Sequence, residues 1–107
     1  ITRWGYRFLS RILTDQERAQ CRGRAERIAA LVAGKEACSK VMGVGMRGVG
    51  WKDMEILHLP SGKPQIRLHH RAYQLALMHK WRASSISLTH DGGLAIAVVV
   101  ALLDKTD

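Results

Sequence analysis

Three groups of residues could do chemistry in this 107-residue chain. The first is Glu36 with Lys40, four positions apart in Ala33-Gly34-Lys35-Glu36-Ala37-Cys38-Ser39-Lys40. On a helix that spacing puts both on one face. Ala29 and Ala33 continue the strip, and small residues there let another element or a ligand come close. On periodicity alone the pair reads as an ordinary helical ion pair contributing a few tenths of a kcal/mol. The second group is Gly43-Val44-Gly45-Met46-Arg47-Gly48, which matches the pattern of a dinucleotide-binding loop. Such a loop must follow a strand and open a helix. Here it follows a helical pattern and leads toward a strand, so a helix cap and loop is the stronger reading. Its backbone N–H groups, with Arg47 nearby, could still line a phosphate site. The third group is the five histidines, His58, His69, His70, His79 and His90. None of them pair at zinc spacing, and His69 and His70 are expected to point apart at a strand end. His90 stands out because it ends a strand at a turn beside Asp91, where functional side chains often project.

The elements that must position these residues can be read from pattern. Residues 3–13 read as a helix with Phe8, Leu9, Ile12 and Leu13 on its apolar side. Thr14 followed by Glu17 is a capping-box pattern, predicting a second short helix from about 15 to Gly23. Arg24–Met42 reads as the longest helix, with Gly43 as its C-terminal cap. Met54–Leu59 and Gln65–His69 alternate about the turn Pro60-Ser61-Gly62-Lys63-Pro64 and predict a hairpin. Arg71–Lys80 reads as helix. Ser85–Thr89 reads as a short strand, with Ile86 and Leu88 inward. Asp91-Gly92-Gly93 reads as a tight turn, and Leu94–Leu103 as a strand buried on both faces. Helices, a hairpin, a helix and another hairpin give an α+β fold, an antiparallel sheet packed on a long helix.

Composition narrows the classes. Seventeen Lys and Arg against nine Asp and Glu leave a net charge of +8. Residues 1–40 carry nine of those cations and four acids, so +5 lies in the first part of the chain. An anionic partner follows: nucleic acid, a phosphorylated cofactor or an acidic protein. The ten-residue apolar run Leu94–Leu103 is too short to cross a membrane as a helix. No basic-then-apolar signal segment opens the chain, so a cytoplasmic protein is expected. Cys21 and Cys38 follow no metal spacing, and Cys38 reads as a small buried hydrophobe.

Five motifs in order then give a resemblance. Ala33 to Lys40 resembles the A-x-K-E-A-x-x-K signature of the holo-acyl-carrier-protein synthases, which are 4′-phosphopantetheinyl transferases. Arg7 to Thr14 resembles that family's R-F-x-x-R-I-L-T stretch. Gly43 to Gly48 is similar to its glycine loop, Gly62-Lys63-Pro64 to its G-K-P turn, and Ser87-Leu88-Thr89-His90 to its S-[LI]-[ST]-H strand end. The likeness covers residues 4–101.

The resemblance implies transfer of the phosphopantetheine arm of coenzyme A to a serine of apo-acyl carrier protein, releasing adenosine 3′,5′-bisphosphate. Attack on a pyrophosphate phosphorus depends on positioning and charge neutralisation. The resemblance makes Glu36 a magnesium ligand that also helps a bound water accept the serine proton. It makes Lys40 the neutraliser of charge on the pyrophosphate, and places His90 beside that group. Lys35 is implied as a further phosphate contact. Lys63 and Pro64 are implied near the adenine nucleotide, Arg24 and Arg27 near the 3′-phosphate, and Ser87 and Thr89 along the pantetheine arm. Arg7 and Arg11 match residues that dock the acidic carrier protein. The family usually assembles as a homotrimer with sites at subunit interfaces.

Two departures matter. Family members open on a G-x-D-x-x-E strand whose Asp is the other protein ligand of magnesium. This sequence begins on Ile1 without that motif, so a single transferase domain over 1–107 is expected to lack a short N-terminal segment. Leu31, four before Lys35, stands where the family commonly has Arg. Two further readings compete. A small basic nucleic-acid-binding domain explains the charge, but it requires aromatic residues interleaved with the basic face. Aromatics are 6%, and Trp4, Tyr6 and Phe8 crowd the first helix. A carrier-protein-binding homologue without catalysis is supported by the absent Asp.

Overall fold

A computed structural model describes residues 3–43 and 48–104. Three helices come first, α1 (Arg3–Ile12), α2 (Asp15–Cys21) and α3 (Ala25–Met42). A short 3-10 turn, Trp51–Asp53, leads into the hairpin β1 (Met54–His58) and β2 (Pro64–Leu68). Helix α4 (His70–Met78) precedes the longer hairpin β3 (Trp81–Asp91) and β4 (Leu94–Leu103).

The capping box forms as the sequence predicts. The Glu17 backbone N–H donates to Thr14 Oγ1 at 3.1 Å, and the Thr14 N–H donates back to Glu17 Oε1 at 2.9 Å. Two otherwise orphaned helix donors are thereby satisfied. Gly62, at φ +90°, closes the β1–β2 loop in a conformation that favours glycine. Gly92 and Gly93 both take positive φ in the two-residue turn of the second hairpin, where the twist of the strands calls for it.

Each hairpin is antiparallel. In the first, Ile56 pairs with Ile66; in the second, Ile86 pairs with Val99 and His90 with Ala95. The two hairpins form separate ladders, not one continuous sheet, although β2 runs close to β3. Helix α3 lies along the β3–β4 ribbon and closes on it at Gly34. A Cβ there would sit 2.7 Å from Ile56 Cδ1 and 3.1 Å from side-chain atoms of Ile86 and Leu88. The core falls into two clusters. Leu9, Leu13, Leu31, Ile56 and Ile86 pack at one end, and Cys38, Met42, Met54, Ala72 and Leu75 at the other.

Three expectations change. β3 starts at Trp81, four residues before the predicted strand, because the length of β4 draws Trp81–Ser84 into pairing. A bulge between Trp81 and Ala83 absorbs their irregular pattern. β4 is not buried on both faces. Ala95, Ala97, Val99 and Ala101 are half-buried, while Leu94, Ile96, Val98, Val100 and Leu102 are 49–62% exposed. Alanines and Val99 face inward; the large apolar residues face out, with nothing over them among the described residues. Phe8, expected on the inner side of α1, is exposed beside Arg7 and Arg11.

Candidate active site

The geometry of α3 separates residues that are adjacent in sequence. Each helical residue turns about 100° from the last. Gly34 and Lys35 face inward and are buried, whereas Glu36 and Lys40 are exposed. The expected Glu36–Lys40 ion pair does not form. Neither side chain makes a hydrogen bond or ion pair with any described residue. The two side chains thus sit one helical turn apart, neither engaged by a described residue.

Lys35 corrects an expectation. The resemblance implies it as a phosphate contact, but its side chain is fully buried. Its Nζ lies 2.9 Å from Glu17 Oε1 and donates to the Trp51 and Met54 carbonyls at 2.8 and 2.7 Å. An ammonium has three protons; all three are engaged, and none is left for a phosphate. Burial pushes the Lys35 ammonium below its ordinary range, and the Glu17 carboxylate opposes that shift. Glu17 is equally buried, and its Oε2 accepts the Ile56 N–H at 2.8 Å. Beside this pair, burial pushes the Cys38 thiol up to about 11, against the pull of Lys35.

A second polar knot lies next to it. Thr14 Oγ1 donates to Glu55 Oε2 at 2.6 Å, and His69 Nε2 lies 3.0 Å from Glu55 Oε1. Desolvation pushes Glu55 up. The hydrogen bonds from Thr14 and His69 outweigh it and hold the carboxyl below the usual range.

The remaining site residues divide between two faces. His90 and Arg27 line one cleft of about 820 Å3, with Leu31, Leu88, His58 and Gly62. Arg24, at the N-cap of α3, and Lys63, beyond Gly62, are exposed, and Pro64 is half-buried. Glu36 and Lys40 do not line this cleft. Ser87 and Thr89 alternate with Leu88 and His90, so they occupy the opposite face of β3. There they pair with Val98 and Ile96 of the exposed apolar row. The structure therefore brings His90 and Arg27 together and leaves Glu36 with Lys40, and Ser87 with Thr89, on other surfaces. Arg7 and Arg11 are exposed on α1. Gly45 and Arg47 of the glycine loop lie outside the described residues.

Sequence reasoning missed two participants. Glu17 carried a capping signal but nothing to connect it with Lys35, eighteen positions on. His58 joins His90 and Arg27 only because the β1–β2 hairpin folds over α2 and α3.

Comparison with known proteins places the chain. Residues 2–99 match the family model of the 4′-phosphopantetheinyl transferase superfamily. A holo-[acyl-carrier-protein] synthase of Herpetosiphon aurantiacus is 41% identical over 109 residues, covering 95% of this chain and 86% of that protein. One from Chloroflexus aggregans is 40% identical over 119 residues, covering 97% and 85%. The Helicobacter pylori holo-[acyl-carrier-protein] synthase, solved in complex with coenzyme A, superposes with a TM-score of 0.83. It is 34% identical, with 94% of this chain and 86% of that one covered. The chain belongs to the 4′-phosphopantetheinyl transferase superfamily, a class of group-transfer enzymes, and within it to the holo-acyl-carrier-protein synthases.

Proposed function

We propose that this enzyme transfers the 4′-phosphopantetheine arm of coenzyme A to a serine of apo-acyl carrier protein in a magnesium-dependent reaction in the cytoplasm. The observation that carries the reading is the exposed, uncommitted pair Glu36 and Lys40 on the outer face of α3. The coenzyme A complex of the similar Helicobacter pylori synthase supports the substrate.

In this reaction the serine oxygen bonds to the phosphorus that carries the pantetheine arm. The bond from that phosphorus to the bridging oxygen breaks, and adenosine 3′,5′-bisphosphate departs with the oxygen and the electron pair. Lys40 neutralises the charge that gathers on the pyrophosphate. His90 donates a hydrogen bond to a phosphate oxygen, and Arg27 and Arg24 face the 3′-phosphate. Lys63 and Pro64 flank the adenine nucleotide, and Ser87 and Thr89 follow the arm through backbone groups. Among the described residues there is no group of three metal-ligating side chains. One free carboxylate nonetheless suits magnesium, which takes one or two carboxylates and fills its shell with phosphate oxygens and water. Glu36 would hold that ion, which would draw charge off the phosphate, and the Glu36 carboxylate would help a water accept the serine proton.

The separation of Glu36 from the His90 cleft supports a site completed between copies of the chain. The outward row Leu94, Ile96, Val98, Val100 and Leu102 is the apolar surface such copies would bury, as in the homotrimer the family resemblance implies. The exposed Arg7, Phe8 and Arg11 offer a basic, partly apolar helix to an acidic carrier protein.

Incubation with apo-acyl carrier protein, coenzyme A and magnesium, followed by intact mass of the carrier protein, tests the reading. The expected result is a gain of one phosphopantetheine that a chelator abolishes. An unchanged mass would favour the carrier-protein-binding homologue without catalysis.

A further inference from the structure

The buried Glu17–Lys35 pair reaches further than its own contacts. Lys35 Nζ joins the middle of α3 to Glu17 and to the carbonyls of Trp51 and Met54, at 2.9, 2.8 and 2.7 Å. Glu17 in turn accepts N–H groups from Thr14 and Ile56 at 2.9 and 2.8 Å. Both side chains are fully buried. The start of α2, the centre of α3, the 3-10 turn and β1 therefore meet at these two side chains. On the same turn of α3, Gly34 lets the helix approach so closely that a Cβ there would crowd Ile56, Ile86 and Leu88, so a shift of the helix disturbs the core.

Glu36 is the residue after Lys35, and Lys40 lies one turn further along the same face. Their direction is set by how α3 is rotated about its axis. A helix with its side chains has a radius of roughly 5–6 Å, so a 10° rotation moves a tip by about 1 Å. Apolar packing alone tolerates rotations of that size better than a three-pronged hydrogen-bonded ammonium does, because dispersion is not directional whereas hydrogen bonds are.

We propose that Glu17 and Lys35 are positioning residues: the buried pair fixes the rotation of α3 and so aims Glu36 and Lys40 at the substrate's diphosphate. The inference rests on the transferase reading. An alternative, purely structural role would leave chemistry intact in any variant that folds.

The test removes both charges together, because losing one partner strands the other in the core. The double variant Glu17→Gln with Lys35→Met keeps side-chain volume, and Gln still suits the capping position. Folding is followed by circular dichroism and melting, and turnover is measured well below the melting temperature. The expected outcome is a folded protein whose kcat falls by roughly 10²-fold, as an error of about 1 Å at reacting groups brings. Coenzyme A binding without metal, read by calorimetry, should be unchanged; magnesium should tighten it in the wild type and not in the double variant. A folded double variant with wild-type kcat and undiminished magnesium tightening would overturn the proposal. Should the double variant not fold, Glu17→Asp, which keeps both charges and shortens the reach by one methylene, carries the same two measurements and the same two outcomes. Silence of the wild-type enzyme itself would instead remove the transferase reading.

Discussion

Two lysines of one helix, Lys35 and Lys40, show how differently the same residue type can be used five positions apart. Each has a carboxylate within reach, and in the sequence both belong to one charged run. Lys35 is fully buried, with every proton engaged by Glu17 and two carbonyls. Lys40 is exposed beside Glu36, and neither is committed to any described residue. The interior pair is costly to desolvate and is tolerated because its hydrogen bonds are complete. The exterior pair has no stabilising work to do, which leaves it available for a ligand. The helix thus separates an interior charge from exposed ones by rotation alone.

Truncating the inner lysine should damage the fold most. Lys35→Ala leaves Glu17 buried and unpaired and should cost about 3–5 kcal/mol in urea unfolding. That is a large share of the roughly 5–15 kcal/mol available to a small domain. Lys40→Ala should do the reverse. Its stability should stay within about 0.5 kcal/mol of wild type, while kcat falls by roughly 10²-fold.

These contrasts also show how far the sequence could be read. The capping box, the length of α3, both hairpins and their order were legible, because each rests on local pattern. Thr14 and Glu17 sit at a fixed spacing, and glycines mark the turns of both hairpins. The Ala33–Lys40 signature was legible as a motif, but not which of its charges face water. The 100° step between Lys35 and Glu36 becomes an inside and an outside only once Gly34 meets Ile56 and Ile86. β4 misled for a related reason. Its uninterrupted apolar run matches a strand covered on both faces, yet α3 covers one face, leaving Ile96, Val98 and Val100 exposed. Phe8 reads as core by period and stands outside for the same kind of reason. In each case the missing information lies in contacts between distant segments.

A smaller effect sharpens the neighbouring polar knot. The Glu55 carboxyl is held below its ordinary value of 4.5 in the folded state. The stability it contributes is present above that value and is lost as pH falls through the folded one. Glu55→Gln should cost about 1–2 kcal/mol at neutral pH and should flatten the fall in melting temperature below pH 4.5, read from melting curves across acid pH. Smallest of all is the effect on the thiols. Cys21 and Cys38 are both buried with raised pKa, Cys38 to about 11. Iodoacetamide at mildly alkaline pH should therefore label neither in the folded protein and both after urea, by intact mass.

The most direct test of the division between the two faces of α3 is Glu36→Gln, with turnover and melting measured on the same preparation. The account predicts an unchanged melting temperature and a loss of phosphopantetheine transfer of roughly 10²–10³-fold. Full magnesium-dependent transfer by Glu36→Gln would contradict it, because the outer face of α3 would then hold no essential carboxylate.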